Sequence, residues 1–116
     1  MRVKTGIVRR RKHKKVLRAA KGFRGASGDV IKQAKQATMR AAAYSTRDRK
    51  VKKRKMRQLW IIRINAGARI NGLTYSTLMN GLKRAGIVLD RKVLADMALN
   101  NAAEFAKLVE TAKAAL

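Results

Sequence analysis

Residues 57–86 read RQLWIIRINAGARINGLTYSTLMNGLKRAG, and this stretch decides the fold because it contains two helix ends and one helix start. Gly72 is predicted to lie just beyond the end of one helix and Gly86 beyond the next, because glycine tolerates the left-handed conformation common at that position. Thr74 can cap the second helix with its side-chain oxygen. The stretch therefore predicts packed helices, the second of which carries apolar residues at helical spacing: Tyr75, Leu78, Met79 and Leu82.

Two further short helices are predicted downstream. Asp90 fits the N-cap of RKVLADMAL, and Asn101 with Glu104 three residues later resembles a capping box for a last helix. Burial of a large apolar side chain contributes about 1.5 to 3 kcal/mol, and so small a domain depends on such burial. The predicted core residues are Trp60, Leu78, Leu82, Leu94 and Phe105.

The N-terminal half is also predicted to be helical, because it lacks Pro and is rich in Ala, Lys, Arg and Gln. Its glycines cluster in KGFRGASG, residues 21–28, which predicts a bend, and one unbroken helix is predicted from about Ser27 to Asn71. The apolar stripe of this half is thin and mostly alanine, so we expect disorder or fraying without a partner. The predicted fold class is all-α: a long basic N-terminal helical arm, residues 1–57, followed by a small compact helical domain, residues 58–116.

The charge of the chain indicates a polyanionic partner. Its 116 residues carry 30 Lys and Arg against 6 Asp and Glu, a net charge of +24. The first 57 residues contain 22 basic and 2 acidic side chains, whereas the last 59 contain 8 and 4. A compact particle with this charge would repel itself unless a polyanion neutralised it, so nucleic acid is the expected partner. No membrane association is expected, because no apolar run is long enough to span a bilayer.

Two basic clusters dominate the arm. RRRKHKK occupies residues 9–15, and RDRKVKKRKMR occupies residues 47–57 with 8 basic residues among 11. Since a helix turns about 100° per residue, the second cluster displays positive charge around its whole circumference. A helix lying on a protein or a membrane would need one apolar face instead. The cluster is therefore suited to being surrounded by phosphates, with an affinity that falls steeply as salt rises.

Several explanations of this charge remain open at this point. A nuclear localisation signal or a solubilising surface would need less than a charge of +20 over 57 residues. The main alternative is a histone-like protein that compacts DNA. A folded RNA is favoured, because its phosphates approach a long helix from several sides whereas duplex DNA offers one side. Single-strand stacking is limited by the presence of only five aromatic residues.

The sequence shows no catalytic or metal-binding constellation. His13 lies among basic residues without a cysteine or carboxylate neighbour, so it is predicted to contact RNA rather than to catalyse a reaction. The acids are expected in ordinary surface pairs, such as Asp48 with Lys52 and Lys92 with Asp96. There is no cysteine and no glycine-rich phosphate loop. No enzyme activity, cofactor, metal or small-molecule substrate is therefore expected.

The run from Tyr44 to Ala98, YSTRDRKVKKRKMRQLWIIRINAGARINGLTYSTLMNGLKRAGIVLDRKVLADMA, closely resembles the bacterial large-subunit ribosomal protein L20 family. The upstream RRRKHKKVLRAAKGFRGA matches the arm of that family, so the resemblance covers nearly the whole chain. Its most specific part is RQLWIIRINAGAR followed by NGLTYS and GLKRAGI. The family's fold, a basic helical arm on a small helical domain, agrees with the one predicted above.

The resemblance implies a structural protein that binds 23S ribosomal RNA directly and is needed early in assembly of the large subunit, beside neighbouring large-subunit proteins. Some family members also bind their own messenger RNA and repress its translation. The absence of a transit peptide favours a location in ribosomes of the bacterial cytoplasm or of the plastid stroma. The resemblance also implies core positions for Leu59, Trp60, Ile62 and Ile64.

The predicted RNA-binding residues fall into two sets. The resemblance implies RNA contact for the basic residues that the domain retains, Arg63, Arg69, Lys83, Arg84, Arg91 and Lys92. In the arm the predicted contacts are the residues of the two basic clusters and those just after the first: Arg9, Arg10, Arg11, Lys12, His13, Lys14, Lys15, Arg18, Lys21, Arg24, Arg47, Arg49, Lys50, Lys52, Lys53, Arg54, Lys55 and Arg57.

Overall fold

A computed structural model of the protein describes residues 4–116, which form six α-helices and no strand. The predicted all-α class, with a long basic helix and a small compact helical part, is confirmed. Met1, Arg2 and Val3, at the start of the predicted arm, lie outside the described residues. The helices are α1 (Gly6–Ala19), α2 (Ala26–Asp29), α3 (Ile31–Ile70), α4 (Tyr75–Arg84), α5 (Arg91–Asn100) and α6 (Ala102–Ala114).

The chain divides into two compact units. The first ends at Lys50, and the second comprises Val51–Leu116. The 40-residue helix α3 contributes to both, with a length of about 60 Å at about 1.5 Å per residue. The predicted domain boundary near residue 58 concerns which part of the chain folds by itself, and it stays a prediction.

The glycine-rich bend forms where it was predicted, but the long helix begins later than expected. After α1 ends at Ala19, Gly22 and Gly25 turn the chain with positive φ angles of 88° and 59°, and Gly25 is the N-cap of α2. The predicted start near Ser27 is wrong, because Val30 is extended (ψ 117°) and separates the single turn of α2 from α3. The turn is tight, since a Cβ atom on Gly28 would lie 2.8 Å from the Phe23 carbonyl oxygen.

Gly72 ends α3 as predicted. Its φ of 81° is left-handed, its N–H donates to the Arg69 carbonyl at 3.0 Å, and the Leu73 N–H donates to the Ala68 carbonyl at 2.9 Å. This pair of bonds is the Schellman arrangement, which satisfies carbonyls that a helix end leaves without partners.

The same chemistry sets both ends of α4. Gly86 has a φ of 71°, and the N–H of Ile87 donates to the Leu82 carbonyl at 3.0 Å. At the other end, the Thr74 side chain accepts from the Thr77 N–H while the Thr77 hydroxyl accepts from the Thr74 N–H at 2.9 Å. This reciprocal cap confirms the predicted role of Thr74.

The other two predicted caps are correct in position only. Asp90 precedes α5 and Asn101 precedes α6, but neither side chain makes a capping hydrogen bond. The expected capping box between Asn101 and Glu104 is therefore wrong. Asn101 has a φ of −130° and a ψ of 60°, because it also ends α5, where its N–H donates to the Met97 carbonyl at 2.9 Å. One residue thus joins two helices, and its backbone departs from the extended conformation typical of an N-cap.

The core of the second unit is formed by side chains from α3, α4, α5 and α6. Four of the five predicted core residues are buried, and the fifth, Trp60, is partly buried against them. Ile64 was implied by the resemblance, whereas the core prediction missed Ala68, Ala95, Val109 and Ala112, which become buried only where two helices meet. The buried cluster comprises Ile64, Ala68, Leu78, Leu82, Leu94, Ala95, Phe105, Val109 and Ala112.

Two core positions implied by the resemblance are wrong. Ile62 is 65% exposed and Leu59 is 38% exposed, whereas Ile64 is fully buried. Ile64 and Ala68, one turn apart, lie on the buried face of α3. Because a helix turns about 100° per residue, Ile62 lies about 200° away from Ile64 and faces solvent.

Close helix packing in this unit depends on two glycines. A Cβ atom on Gly81 in α4 would collide with the carbonyl oxygen of Ala112 in α6, so these two backbones are in contact. A Cβ atom on Gly67 in α3 would lie 3.0 Å from the Phe105 ring and 3.2 Å from the Ala98 methyl group. The first contact involves backbone atoms, which cannot move aside as a side chain can.

Candidate nucleic-acid interface

The basic cluster on α3 is exposed on every side. Every residue from 52 to 59 and every residue from 41 to 50 is exposed, with only Val51 half-buried between them. This section of the helix therefore has no face occupied by packing, although it is continuous with a section that has one. The predicted cations it displays are Arg47, Arg49, Lys50, Lys52, Lys53, Arg54, Lys55 and Arg57.

Arg47 differs from the other cations of this cluster because it has partners within the chain. Its Nε donates to Asp48 Oδ1 at 2.7 Å, and its guanidinium lies 4.7 Å from the centre of the Tyr44 ring. The hydrogen bond from Arg47 lowers the pKa of Asp48, which keeps this acid ionised. Asp48 thus partly neutralises the charge of Arg47, so the other cations of the cluster supply most of its net positive charge.

The predicted surface pairs of two acids are wrong. Asp48 pairs with Arg47 rather than Lys52, because the planar guanidinium of the adjacent residue reaches it directly. Asp96 accepts a hydrogen bond from the Asn100 side chain at 2.8 Å rather than pairing with Lys92. Both lysines therefore stay available for an external anion.

The first basic cluster lies on α1 and lines a cleft in the first unit. Its cations are exposed, and His13 is half-buried. The cleft, of about 570 Å³, lies between one face of α1 and the first turn of α3, where Ile31 and Lys35 complete it. Lys35 was missed as a candidate site residue, because only the bend brings it opposite α1. The α1 residues at the cleft are Thr5, Val8, Arg9, Lys12, His13 and Val16.

The remaining predicted cations of the first unit are Arg10, Arg11, Lys14, Lys15, Arg18, Lys21 and Arg24, and all are exposed. Lys14, Arg18 and Lys21 line a smaller cleft of about 360 Å³ at the end of α1, together with Gly28 and Asp29. The two clefts distribute positive charge over more than one side of α1.

In the second unit, Arg63 and Lys92 meet at one cleft. Arg63 comes from α3 and Lys92 from α5, and Trp60 and Val93 form part of the cleft wall. The cleft has a volume of about 400 Å³. Asp96 also lies here and supplies a carboxylate beside the two cations. The fold thus brings together two predicted RNA-contact residues that lie 29 positions apart in the sequence.

Arg91 is held in place by a polar cluster that sequence reasoning missed. Its Nε donates to the Tyr75 hydroxyl at 2.9 Å. The backbone N–H of Tyr75 in turn donates to the Asn65 side-chain oxygen at 3.2 Å, so α3, α4 and α5 are linked through one residue. Arg91 lines a cleft of about 460 Å³ together with Lys83 and the exposed Val88. A fixed guanidinium loses less conformational entropy on binding than a free one.

The other two predicted cations of this unit occupy separate places. Arg84 donates to the backbone oxygen of Leu116 at 2.7 Å, and Arg69 is exposed in the last turn of α3. The six predicted cations of the domain are therefore distributed over two clefts and two single positions, rather than concentrated on one.

Comparison with known proteins identifies the family. The model of the family described as ribosomal protein L20 matches residues 2–108. A large ribosomal subunit protein bL20 from Fusobacterium nucleatum is 77% identical over 116 residues, which cover the whole of both chains. The chain belongs to the ribosomal protein L20 family. Ribosomal protein L20 is a structural constituent of the ribosome, in the large subunit, and this family is not an enzyme family.

Family membership confirms the expected location in the ribosome of the bacterial cytoplasm. Among residues 4–116, no helix of this L20 protein is long and apolar enough to cross a membrane. The same part of the chain holds no group of three acidic or histidine side chains that could bind a metal.

Proposed function

We propose that this L20 protein binds 23S ribosomal RNA directly through both of its units. The observation that carries the proposal is the section of α3 between residues 47 and 57, where eight cations surround a helix with no packed face. Within a ribonucleoprotein, such a helix is stable where phosphates approach it from several sides. A protein or lipid surface would leave most of these charges without partners.

The two units contribute differently to this binding. The α1 and α3 clusters supply most of the phosphate neutralisation, which is largely independent of sequence. The domain carries fewer cations, but the fold fixes some of them, as with Arg91 on Tyr75 and with Arg63 beside Lys92. Site selection on the RNA is therefore assigned to the domain, through Arg63, Arg69, Lys83, Arg84, Arg91 and Lys92.

A role early in assembly of the large subunit is part of this proposal. RNA can surround this segment on all sides only if the segment is in place before the RNA closes around it. Neighbouring large-subunit proteins would then add to the RNA and protein surface that the chain has organised. The proposal includes no catalytic step, and turnover of an RNA substrate by the purified chain would contradict that part of it.

Direct binding is tested by titrating the full chain against a folded 23S rRNA fragment and against random duplex DNA of equal length, at near-physiological salt. We expect the rRNA fragment to bind at least about 100-fold more tightly, because specific complexes commonly exceed non-specific ones by larger factors. Equal affinities would favour the DNA-compacting alternative. A transcript of the chain's own messenger RNA, added as a competitor, tests the autoregulation that the resemblance implies, and displacement of the rRNA fragment would support it.

We also propose that residues 58–116 fold without the arm, whereas residues 1–57 fold only on RNA. The buried cluster from Ile64 to Ala112 lies entirely after residue 57, while the buried apolar residues described in the first unit are Ala20 and Ala34. Circular dichroism of the two fragments is expected to show a helical, cooperatively melting C-terminal piece and a largely unstructured N-terminal piece that becomes helical when RNA is added. A stable helical arm beside an unfolded C-terminal piece would contradict the division.

A further inference from the structure

The cleft between α1 and the start of α3 has apolar walls, unlike the exposed basic section of α3 at residues 47–57. Val8 and Val16 on α1, with Ile31 on α3, line the cleft. Val16 and Ile31 are half-buried. Binding of phosphates alone does not require an apolar wall, because phosphate contacts need only cations and hydrogen-bond donors.

Cations border this apolar surface on both helices. Arg9 and Lys12 lie one turn apart on α1, and Lys35 lies across the cleft on α3, one turn after Ile31. The three side chains are exposed, so each can reach a phosphate outside the cleft. Positive charge around an apolar cavity complements a ligand with an apolar body and anionic ends.

The cleft volume of about 570 Å³ falls within the range of about 300 to 1,000 Å³ that is typical of small-ligand sites. A nucleotide unit of a folded RNA has the matching chemistry, since its base has flat faces that pack on apolar side chains and the phosphates on either side of it are anionic. RNA is commonly recognised through bases that have left the stack and lie against protein side chains. His13, half-buried at the same cleft, offers a ring on which a base can stack.

We infer that this cleft receives one unstacked base of the bound ribosomal RNA, with the flanking phosphates on Arg9, Lys12 and Lys35. The inference rests on the proposed direct binding of rRNA, and adds to it that the arm holds a base as well as phosphates. The base lies against Val8, Val16 and Ile31.

The test uses the full chain bound to a folded 23S rRNA fragment that carries photoreactive thiolated bases. After irradiation and digestion, mass spectrometry locates the crosslinked residues. Base crosslinks are expected to concentrate on the cleft segments of α1 and α3, and to be sparse on residues 47–57, for which we propose contact with phosphates only. Equal crosslinking along all basic segments would overturn the inference.

The variant V8T/V16T replaces one methyl group by a hydroxyl at each position and keeps both shape and charge. We expect it to reduce the crosslink yield at the cleft about fivefold, with an unchanged salt dependence of binding. Ile7, 71% exposed on the same helix and outside the cleft, provides the matched control, and I7T is expected to change neither quantity. An unchanged crosslink yield in V8T/V16T would also overturn the inference.

The outcomes separate the two proposals. If the unmodified chain shows no preference for the rRNA fragment, direct specific binding fails, and this inference fails with it. If binding is specific and the base crosslinks lie elsewhere, only the cleft assignment is wrong, and a neighbouring protein segment becomes the candidate occupant.

Discussion

Replacing Lys50, Lys52, Lys53 and Lys55 by glutamine is expected to weaken binding of a folded 23S rRNA fragment by about 10² to 10³-fold at near-physiological salt. All four side chains are exposed on α3. Each phosphate contact contributes about 0.7 to 0.9 to the slope of log affinity against log salt, so the slope should fall by about 3. Glutamine keeps a helix propensity close to that of lysine, so the helix itself should persist. Titrations at several salt concentrations measure both quantities.

The matched control removes charge from a place where no RNA contact is proposed. Lys107 and Lys113 are exposed on α6, so K107Q/K113Q lowers the net charge without altering the cluster on α3. We expect the slope of log affinity against log salt to change, per charge removed, by less than half of the change in the four-lysine variant of α3. An equal change per charge would show that binding depends on total charge rather than on the arrangement of cations around α3.

Replacing Gly81 by alanine is expected to reduce the free energy of unfolding of the second unit by about 1 to 2 kcal/mol. The added methyl group would collide with the carbonyl oxygen of Ala112 and lie 2.9 Å from its carbonyl carbon. Overpacking of this kind typically costs about 1 to 3 kcal/mol, and the gain in helix propensity of about 1 kcal/mol offsets it only in part. For a unit this small, the melting temperature should fall by roughly 4 to 16 °C.

The chain contains one tryptophan, and Trp60 packs against the core of this unit, so its fluorescence reports the unfolding. Asn80, the exposed neighbour of Gly81 on α4, provides the control, because N80A also introduces alanine into the same helix. We expect N80A to change stability by less than about 0.5 kcal/mol. Unfolding of G81A at the same temperature as N80A would show that α4 and α6 can separate without cost.

A second glycine variant separates backbone contact from side-chain contact. The closest neighbours of a methyl group on residue 67 would be atoms of the Phe105 and Ala98 side chains rather than backbone. Because a ring can rotate or shift, G67A should destabilise less than G81A. Shortening Phe105 to leucine should relieve part of the cost in G67A, whereas no substitution of Ala112 can remove the backbone oxygen that opposes residue 81.

The helix ends show which features of the fold can be predicted from local sequence. Gly72, Thr74 and Gly86 behave as predicted, because a left-handed glycine and a capping threonine act within their own turn. Asn101 does not, because it ends α5 as well as preceding α6. Its backbone conformation joins the two helices, and its side chain makes no capping hydrogen bond. The start of α3 was missed for a similar reason, since contact between Gly28 and Phe23 determines where the turn closes.

The candidate site likewise has features that depend on local sequence and features that depend on helix packing. The charge around α3 could be predicted because it depends only on residue type and helical spacing. The clefts could not, because Arg63 and Lys92 meet only after α3 and α5 have packed, and Lys35 meets α1 only because the bend brings the two helices together. The bond between Arg91 and Tyr75 likewise joins two helices, and nothing in either local sequence indicates it.

The order of residues alone therefore determines where the helices of this L20 protein end and where its charge lies, since capping and electrostatic repulsion act on neighbours along the chain. Only the tertiary structure decides that Ile64 is buried while Ile62 is exposed, that Gly81 must lack a side chain, and which cations share a cleft. The physical reason is that close packing is a property of two surfaces. Each helix presents its own pattern, but the partner that it meets determines which of its faces is covered.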